Sequence, residues 1–503
     1  MRGFWYLMFN SLYSMGTIGV IIISLVAAVC LAGISIFIWY YRYRFISFIK
    51  HEHTPDMDSH SPEGYTDKPF YYRGDTITFF LRSDAERNIL SLRKMNGPFE
   101  YQELYTAPFG RIEQSTPSNA SEAGCSWKPS QTLLIGEEFK AGYYQALVTS
   151  EGSSTPFEIY FIIGEKKAAS IVIVAPVSTW TAYNPWGGKS LYQNKFENKT
   201  VYFVSTQRPN TAFEINHDIQ VEANTFNWFS ATYPGVSIIP DYALEEASPA
   251  MPGTLEQCEL LVLSYHCEYL SKEMHRAVRA AVARGISLIS MGANQLFWVV
   301  RWHSQHTRME CRKDMTFFQN TLTYGGLWKH HFRPQQKHVG GCYNCLGMHT
   351  YAPYRLLAKS DHWILEGLTI QTGDLFGMRG IQGRPICGAE TDKTGRRLGN
   401  FEIIARGMNC ESEAMGTTYD ANDPHWNGSG GGEMTVGYRA NGAAVLNTAS
   451  IESGAGLGVD PVFTGIIENF MKRFGPKLLR SRTAEIPKVQ RRDLSLDSVP
   501  NNL

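Results

Sequence analysis

Two stretches of the chain hold residues able to do chemistry together. The first is TWTAYNPWGGKSLY, residues 179–192, which follows the short apolar, β-branched run from Ala168 to Ala175 closed by Pro176. It therefore reads as a loop at the C-terminal end of a buried strand. The second is SYHCEYL, residues 264–270, at the end of the apolar run CELLVLS, residues 258–264. Loops at this edge of an open α/β sheet are held by rigid strands yet free of the ladder, and ligands gather there. If the two loops are neighbours, the phenol of Tyr183 meets the imidazole of His266, the thiol of Cys267 and the carboxylate of Glu268 in one crevice. Such a set supports proton transfer, thiol attack or cation binding. The bland alternatives stay open: an aromatic-rich packed loop, and His266 as a helix cap.

The elements that would position these loops are legible in part. SKEMHRAVRAAVARG, residues 271–285, places apolar residues at helical spacing with Gly285 as its stop, and ISLISMG, residues 286–292, is the next buried strand. Strand, helix, strand in this rhythm predicts a parallel sheet with right-handed crossovers. Upstream the pattern is alternation: ITFFLRS at 77–83, TLLIG at 132–136, YYQALVTS at 143–150 and FEIYFIIG at 157–164. Short strands divided by Gly, Ser and Pro clusters predict a β-sandwich. Beyond residue 300 the pattern loosens, until VFTGIIENFMKRF near the end reads as a helix.

The N-terminal region differs in kind. Thr17 to Trp39 carries no charge and is rich in Ile, Val, Leu, Ala and Phe, and 23 residues of helix would run about 34 Å, enough to cross a bilayer. We therefore expect an N-terminal segment (1–16), a transmembrane helix (17–39), a juxtamembrane linker (40–62), a β-sandwich (63–165), an α/β catalytic-type domain (166–475) and a basic polar tail (476–503). Arg42, Arg44 and Lys50 follow the run while Arg2 precedes it, so the positive-inside rule places the large C-terminal part on the cytoplasmic side of a single-pass protein. Three sequons, at Asn119, Asn198 and Asn427, point weakly to the other side.

Composition narrows the partners. The 503 residues carry 47 basic and 47 acidic side chains, which speaks against a nucleic-acid partner. Nine cysteines without a regular framework read as free thiols. Cys342 and Cys345 form one Cys-x-x-Cys pair without a second at zinc spacing, so two plain thiols is the reading there.

Taken in order, TWTAYNPWGGKSLY, VSTQRP at 204–209, SYHCEY at 264–269 and GANQ at 292–295 resemble the successive signatures of the N,N-dimethylformamidase large-subunit family. The resemblance spans roughly Gly64 to Phe474. It implies a sandwich followed by a flavodoxin-like, glutamine-amidotransferase-like α/β domain. It also implies an amidohydrolase with one iron held by two tyrosines and a glutamate. Carried over motif by motif, the ligands are Tyr144 (from AGYYQAL), Tyr183 and Glu268. Hard anionic oxygens suit Fe(III) better than zinc. His266, Asn294, Lys313 (in CRKD) and Glu390 (in GAETD) match the family's pocket positions.

The expected function is hydrolysis of a small amide by a membrane-tethered enzyme, with a homo-oligomer left open. The probable span and basic tail depart from soluble formamidases that work with a small partner subunit, so subunit composition and substrate stay open. Two alternatives remain: a non-catalytic membrane-anchored scaffold on the same fold, and a thiol hydrolase using Cys267. The metal reading requires the oxygens of Tyr144, Tyr183 and Glu268 to converge.

Overall fold

A computed structural model describes residues 62–215, 217–246, 255–333, 335–343, 350–394, 401–409 and 431–477. The span expected at 17–39, the segment before it, the linker up to Ser61, Cys345 and the tail beyond Lys477 lie outside the described residues. Among the described residues no helix is long and apolar enough to cross a membrane. All of them belong to one compact unit, Asp56–Leu503, which is rich in β-sheet with a smaller share of helix.

The first part is two facing sheets. Glu63–Thr66, Thr76–Arg82 and Gln131–Leu134 pair antiparallel. Opposite them runs a five-stranded sheet in the order Phe70–Tyr72, Phe157–Gly164, Gly142–Ser150, Asn88–Gly97, Glu100–Phe109. Period-2 alternation aims Ile77, Phe79 and Leu81 from one sheet at Leu90, Leu92, Tyr144, Ala146, Val148, Phe161 and Ile163 of the other, closing a dry core. The long hairpin Asn88–Gly97 to Glu100–Phe109 was absent from the sequence reading. Its second strand has no fully buried residue, so it lacks a clean apolar alternation.

The second part is built on a nine-stranded sheet. Its five parallel strands, in spatial order, are Val236–Pro240, Ile171–Ala175, Leu260–Tyr265, Ser287–Gly292 and Ala444–Asn447. All five are buried on both faces, which is why they read as unbroken apolar runs. Helices Ile219–Thr232 and Pro461–Phe474 cover one face, and helix Lys272–Ala283 covers the other through Met274, Val278 and Ala281. Counted along the chain, the parallel strands stand in the order 2-1-3-4-5.

Two expectations need correction. The sheet is mixed: beyond Ala444–Asn447 it continues with antiparallel strands Glu433–Tyr438, Phe401–Gly407, Tyr354–Leu356 and Leu375–Phe376. Two of these four are only two or three residues long and one pair contains a bulge near Ile403, too little periodicity to announce a strand. The TWTAYN stretch is not loop throughout. Val177–Tyr183 is a helix, and Asn184-Pro185 stops it because the residue before proline is driven out of the helical region.

Candidate functional site

The parallel strands end at one edge, and their exits carry the polar residues. Tyr183 closes the helix after Ile171–Ala175, His266 and Glu268 follow Leu260–Tyr265, and Asn294 follows Ser287–Gly292. The exits are stitched together. Thr179 Oγ1 donates to the His266 carbonyl (2.5 Å) and accepts from the Glu268 amide (3.3 Å). Gln295 accepts from the Cys267 amide (2.7 Å) and donates to the Tyr265 carbonyl (3.3 Å), while the amides of Phe297 and Trp298 both donate to the Glu268 carbonyl (2.9 Å). Gly292 is obligatory here, because a Cβ on it would stand 1.7 Å from the Tyr265 carbonyl oxygen. Tyr265, Asn294, Leu296 and Ala389 all hold positive φ, +52° to +60°. Such left-handed conformations of non-glycine residues cluster where surrounding structure enforces a functional geometry.

The side chains meet around Glu268, which is buried at 1% exposure. Tyr183 Oη donates to Glu268 Oε2 (2.9 Å), and Tyr192 Oη lies 3.1 Å from Glu268 Oε1 and 3.2 Å from Tyr183 Oη. Tyr269 Oη donates to Tyr192 Oη (2.5 Å). Asn294 Nδ2 bridges Glu268 Oε1 (3.2 Å) and Glu390 Oε2 (2.9 Å), and its backbone amide donates to Asp392 (2.8 Å). His266 Nε2 stands 3.6 Å from Glu268 and 3.4 Å from Glu390. Lys313 comes from the turn after strand Arg308–Cys311 and rests its Nζ 3.2 Å from the centre of the Tyr192 ring, with Trp298 and Tyr269 beyond.

Burial sets the protonation states. It raises the phenols of Tyr183, Tyr192 and Tyr269 well above the ordinary tyrosine value, and the Glu268 carboxylate adds to the rise. It raises Glu268 too, although His266 opposes the shift. For His266 burial works against charge, but Glu268 and Glu390 outweigh it and hold the imidazole above its usual value. Lys313 is pushed down by burial to about 8, which puts its ammonium within reach of deprotonation near neutral pH.

Two buried polar atoms of the cluster, Asn294 Oδ1 and Lys313 Nζ, have no hydrogen-bond partner, and His266 Nε2 has only its long contacts to Glu268 and Glu390. Unpartnered polar atoms beside convergent oxygens leave the cluster able to take a ligand. Among the described residues no group of three or more His, Cys, Asp or Glu could hold a metal ion. A cation at this place would therefore draw on phenol oxygens, and Tyr183, Tyr192 and Glu268 are the donors that the geometry offers. They suit a hard, strongly charged ion able to displace phenolic protons.

The structure brings Tyr183, His266, Glu268, Asn294, Lys313 and Glu390 together but leaves Tyr144 out. Tyr144 lies in the sandwich core, stacked on Phe161 (5.7 Å), and its hydroxyl donates to the Lys140 carbonyl (2.7 Å). The expected trio with Tyr144 does not form. Tyr192 and Tyr269, which the sequence reading passed over, stand in its place, and both were inside the quoted motifs. Cys267 is also withdrawn from chemistry: its thiol is fully buried, points at the carbonyls of Ser264 (3.5 Å) and Val174 (3.7 Å), and is held protonated far above its ordinary value by burial. A thiol in that state is a poor nucleophile. Cys125, Cys258, Cys267, Cys311 and Cys387 are free and buried, and Cys342 is half-buried.

Residues 99–465 match the family described as N,N-dimethylformamidase beta subunit-like, C-terminal. The chain belongs to this family. The formamidase-like match covers well over half of the sequence and every residue of the site from Tyr183 to Glu390. No curated protein matches the chain. Among solved structures, a family 123 glycoside hydrolase from Clostridium perfringens is similar at 9% identity over 48% of this chain and 46% of that one, with a TM-score of 0.10. The formamidase-like chain thus spans about half of that protein, and a likeness this slight carries no argument.

Proposed function

We propose that this chain is a membrane-tethered hydrolase of the carbon–nitrogen bond in small linear amides, built on a flavodoxin-like α/β domain. The observation that carries the reading is the convergence of Tyr183, Tyr192 and Glu268 beside the His266 imidazole and the unpartnered atoms Asn294 Oδ1 and Lys313 Nζ. The 2-1-3-4-5 order of the parallel strands supports the fold assignment, and ligands in that fold bind at the strand exits where this cluster sits. The uncharged run 17–39 is the proposed tether, with the domain on the cytoplasmic side.

Tyr183, Tyr192 and Glu268 would hold a ferric ion. When bound, it would supply Lewis acidity toward the amide carbonyl and lower the pKa of a nearby water. The chain's own groups do the rest. The Lys313 ammonium and the His266 imidazolium offer positive charge and N–H donors to the oxygen that turns negative as water adds to the carbonyl carbon. Glu390, 3.4 Å from His266 Nε2, accepts the proton that the water loses, and His266 returns a proton to the nitrogen as the C–N bond breaks. The products are a carboxylic acid and an amine. Asn294 ties Glu268 to Glu390 and keeps the two carboxylates in register.

The test is metal analysis and amide hydrolysis on the purified full chain, with a panel of small linear amides. We expect close to one iron per chain, a phenolate-to-iron colour, and loss of both iron and hydrolysis in Tyr183→Phe and Glu268→Ala. A metal-free, colourless protein with unchanged hydrolysis in these variants would sink the reading.

A further inference from the structure

The segment that carries Lys313 into the site continues outward as a hairpin with an apolar surface. Phe317 pairs with Tyr324, the Phe318 amide donates to the Thr323 carbonyl (2.9 Å), and the Gly325 amide donates to the Thr316 carbonyl (3.0 Å). Phe318 points inward and packs with Val299 and Trp328. Tyr324 is stacked on His331 (4.3 Å) and donates from its hydroxyl to the His330 carbonyl (3.2 Å), which joins the hairpin to the turn at Phe332. The unit is thus firmly built. Yet Leu322 is 93% exposed, Phe332 92%, Phe317 58% and Met315 46%.

Four large apolar side chains displayed on one braced unit are not ordinary surface scatter. Met315 and Phe332 also hold left-handed backbone, φ +62° and +58°, which a bulky side chain adopts only when its surroundings enforce it. The surroundings are basic. Arg301 Nη1 donates to the Gln319 carbonyl of the hairpin (3.1 Å), while Lys313 is turned into the site and Arg312 is paired with Glu310. Arg301, Lys329 and Lys337 are exposed, and Arg333 is partly so. Apolar tips among cations match a bilayer with acidic headgroups: the tips enter the acyl boundary and the cations meet the phosphates and carboxylates.

We propose that the hairpin Met315–Tyr324 and the turn at Phe332 form a docking surface for an anionic lipid bilayer, with Leu322 and Phe332 as the inserting residues. The proposal goes beyond catalysis, and it rests on the tether only in that residues 17–39 would keep such a surface within reach.

The experiment is hydrogen–deuterium exchange on the purified full chain in detergent, in phosphatidylcholine vesicles, and in vesicles that also contain phosphatidylserine. Amides of residues 315–333 should exchange several-fold more slowly with phosphatidylserine alone, and Leu322→Ser/Phe332→Ser should abolish the slowing without changing exchange elsewhere. Equal exchange in all three settings overturns the proposal. Slowing in detergent that grows with protein concentration overturns it in favour of a second copy of the chain on this face. A full chain that is soluble without detergent refutes the tether, and exchange of that chain with added phosphatidylserine vesicles still decides docking by the same criterion.

Discussion

The phenol of Tyr144 is structural, unlike those of Tyr183 and Tyr192 that meet at Glu268. Tyr143 and Tyr144 point to opposite faces of strand Gly142–Ser150, as strand geometry requires, and Tyr144 faces the sandwich core. Tyr144→Phe should therefore cost about 1 kcal/mol, the ordinary worth of one hydrogen bond, and leave iron content and hydrolysis unchanged. Tyr192→Phe should retain the fold but lower iron affinity at least roughly tenfold, the lower bound seen even for outer-shell partners of metal sites. Iron titration of both variants decides between them, and a Tyr144→Phe protein that loses iron would reverse the assignment. A second residue acts at one remove. Arg208, 1% exposed, donates to the carbonyls of Asn184 (3.0 Å), Trp186, Lys189 (3.0 Å) and Ser205 (3.2 Å), three of which lie in the loop between Tyr183 and Tyr192. Arg208→Lys cannot present that fork. It should weaken iron binding about 10- to 100-fold and shift the phenolate-to-iron band, with helix content in circular dichroism unchanged. Lys313 and Glu390 were reached only through the family resemblance, whereas Tyr183, His266, Glu268 and Asn294 were legible because each lies in an ordered motif at the exit of an apolar strand. Tyr192 was not, since only the Gly187-Gly188 turn, with both φ at +77°, folds it back beside Tyr183, and spacing alone does not reveal that.

Elements differ in how much of themselves they announce. The strands Ile171–Ala175, Leu260–Tyr265 and Ser287–Gly292 are apolar throughout because both of their faces are covered, and that is a strong signal. The antiparallel extension around Phe401–Gly407 mixes exposed and buried residues over short lengths, and its pairing is decided by tertiary partners. Helix Lys272–Ala283 was legible from its spacing and from Gly285 as its stop, but not in what it buries; the structure adds the Ser271 cap on the Met274 amide (3.3 Å). His275 on this helix is fully buried, stacked on Trp328 (4.1 Å), and neither ring nitrogen has a partner. Burial, with His338, Arg279, Arg333 and His331 nearby, pushes its pKa down to about 2. The folded chain thus refuses a proton that the unfolded chain accepts below its ordinary value of 6.5. Stability from this group is complete above that pH and is lost as pH falls toward 2, and the loss between pH 7 and pH 5 comes to about 2 kcal/mol. His275→Phe keeps a ring on Trp328 and removes the titration. Denaturant melts at the two pH values should show the variant losing about 2 kcal/mol less than the parent, and an equal loss in both proteins would refute the account.

For the whole molecule, the sandwich and the α/β part share one polar interior seam. Tyr143 Oη, on the face of its strand turned away from the sandwich core, donates to Glu222 Oε1 (2.6 Å) on helix Ile219–Thr232. The other oxygen of Glu222 accepts from Trp180 Nε1 (3.0 Å) and contacts His217 Nε2. Further bonds cross the same boundary: Trp186 Nε1 to Glu63 (2.9 Å), Gln207 Nε2 to the Asp67 carbonyl (2.6 Å), the Cys125 amide to the Gln207 carbonyl (2.8 Å), and Asn227 Nδ2 to the Met95 carbonyl (3.1 Å). Trp180 and Trp186 flank Tyr183 in sequence, so the boundary also braces the loop that presents the two phenols. A seam of this kind makes the parts unfold together, since pulling them apart takes a donor from a buried carboxylate. Calorimetry of the full chain should give a single transition for residues 56–503, with calorimetric and van't Hoff enthalpies in agreement. Tyr143→Phe removes one donor from Glu222 and should destabilise by about 1–3 kcal/mol while the transition stays single. Two resolved transitions in the parent protein, or a Tyr143→Phe variant as stable as the parent, would mean that the sandwich is an independent appendage and does not fix the site.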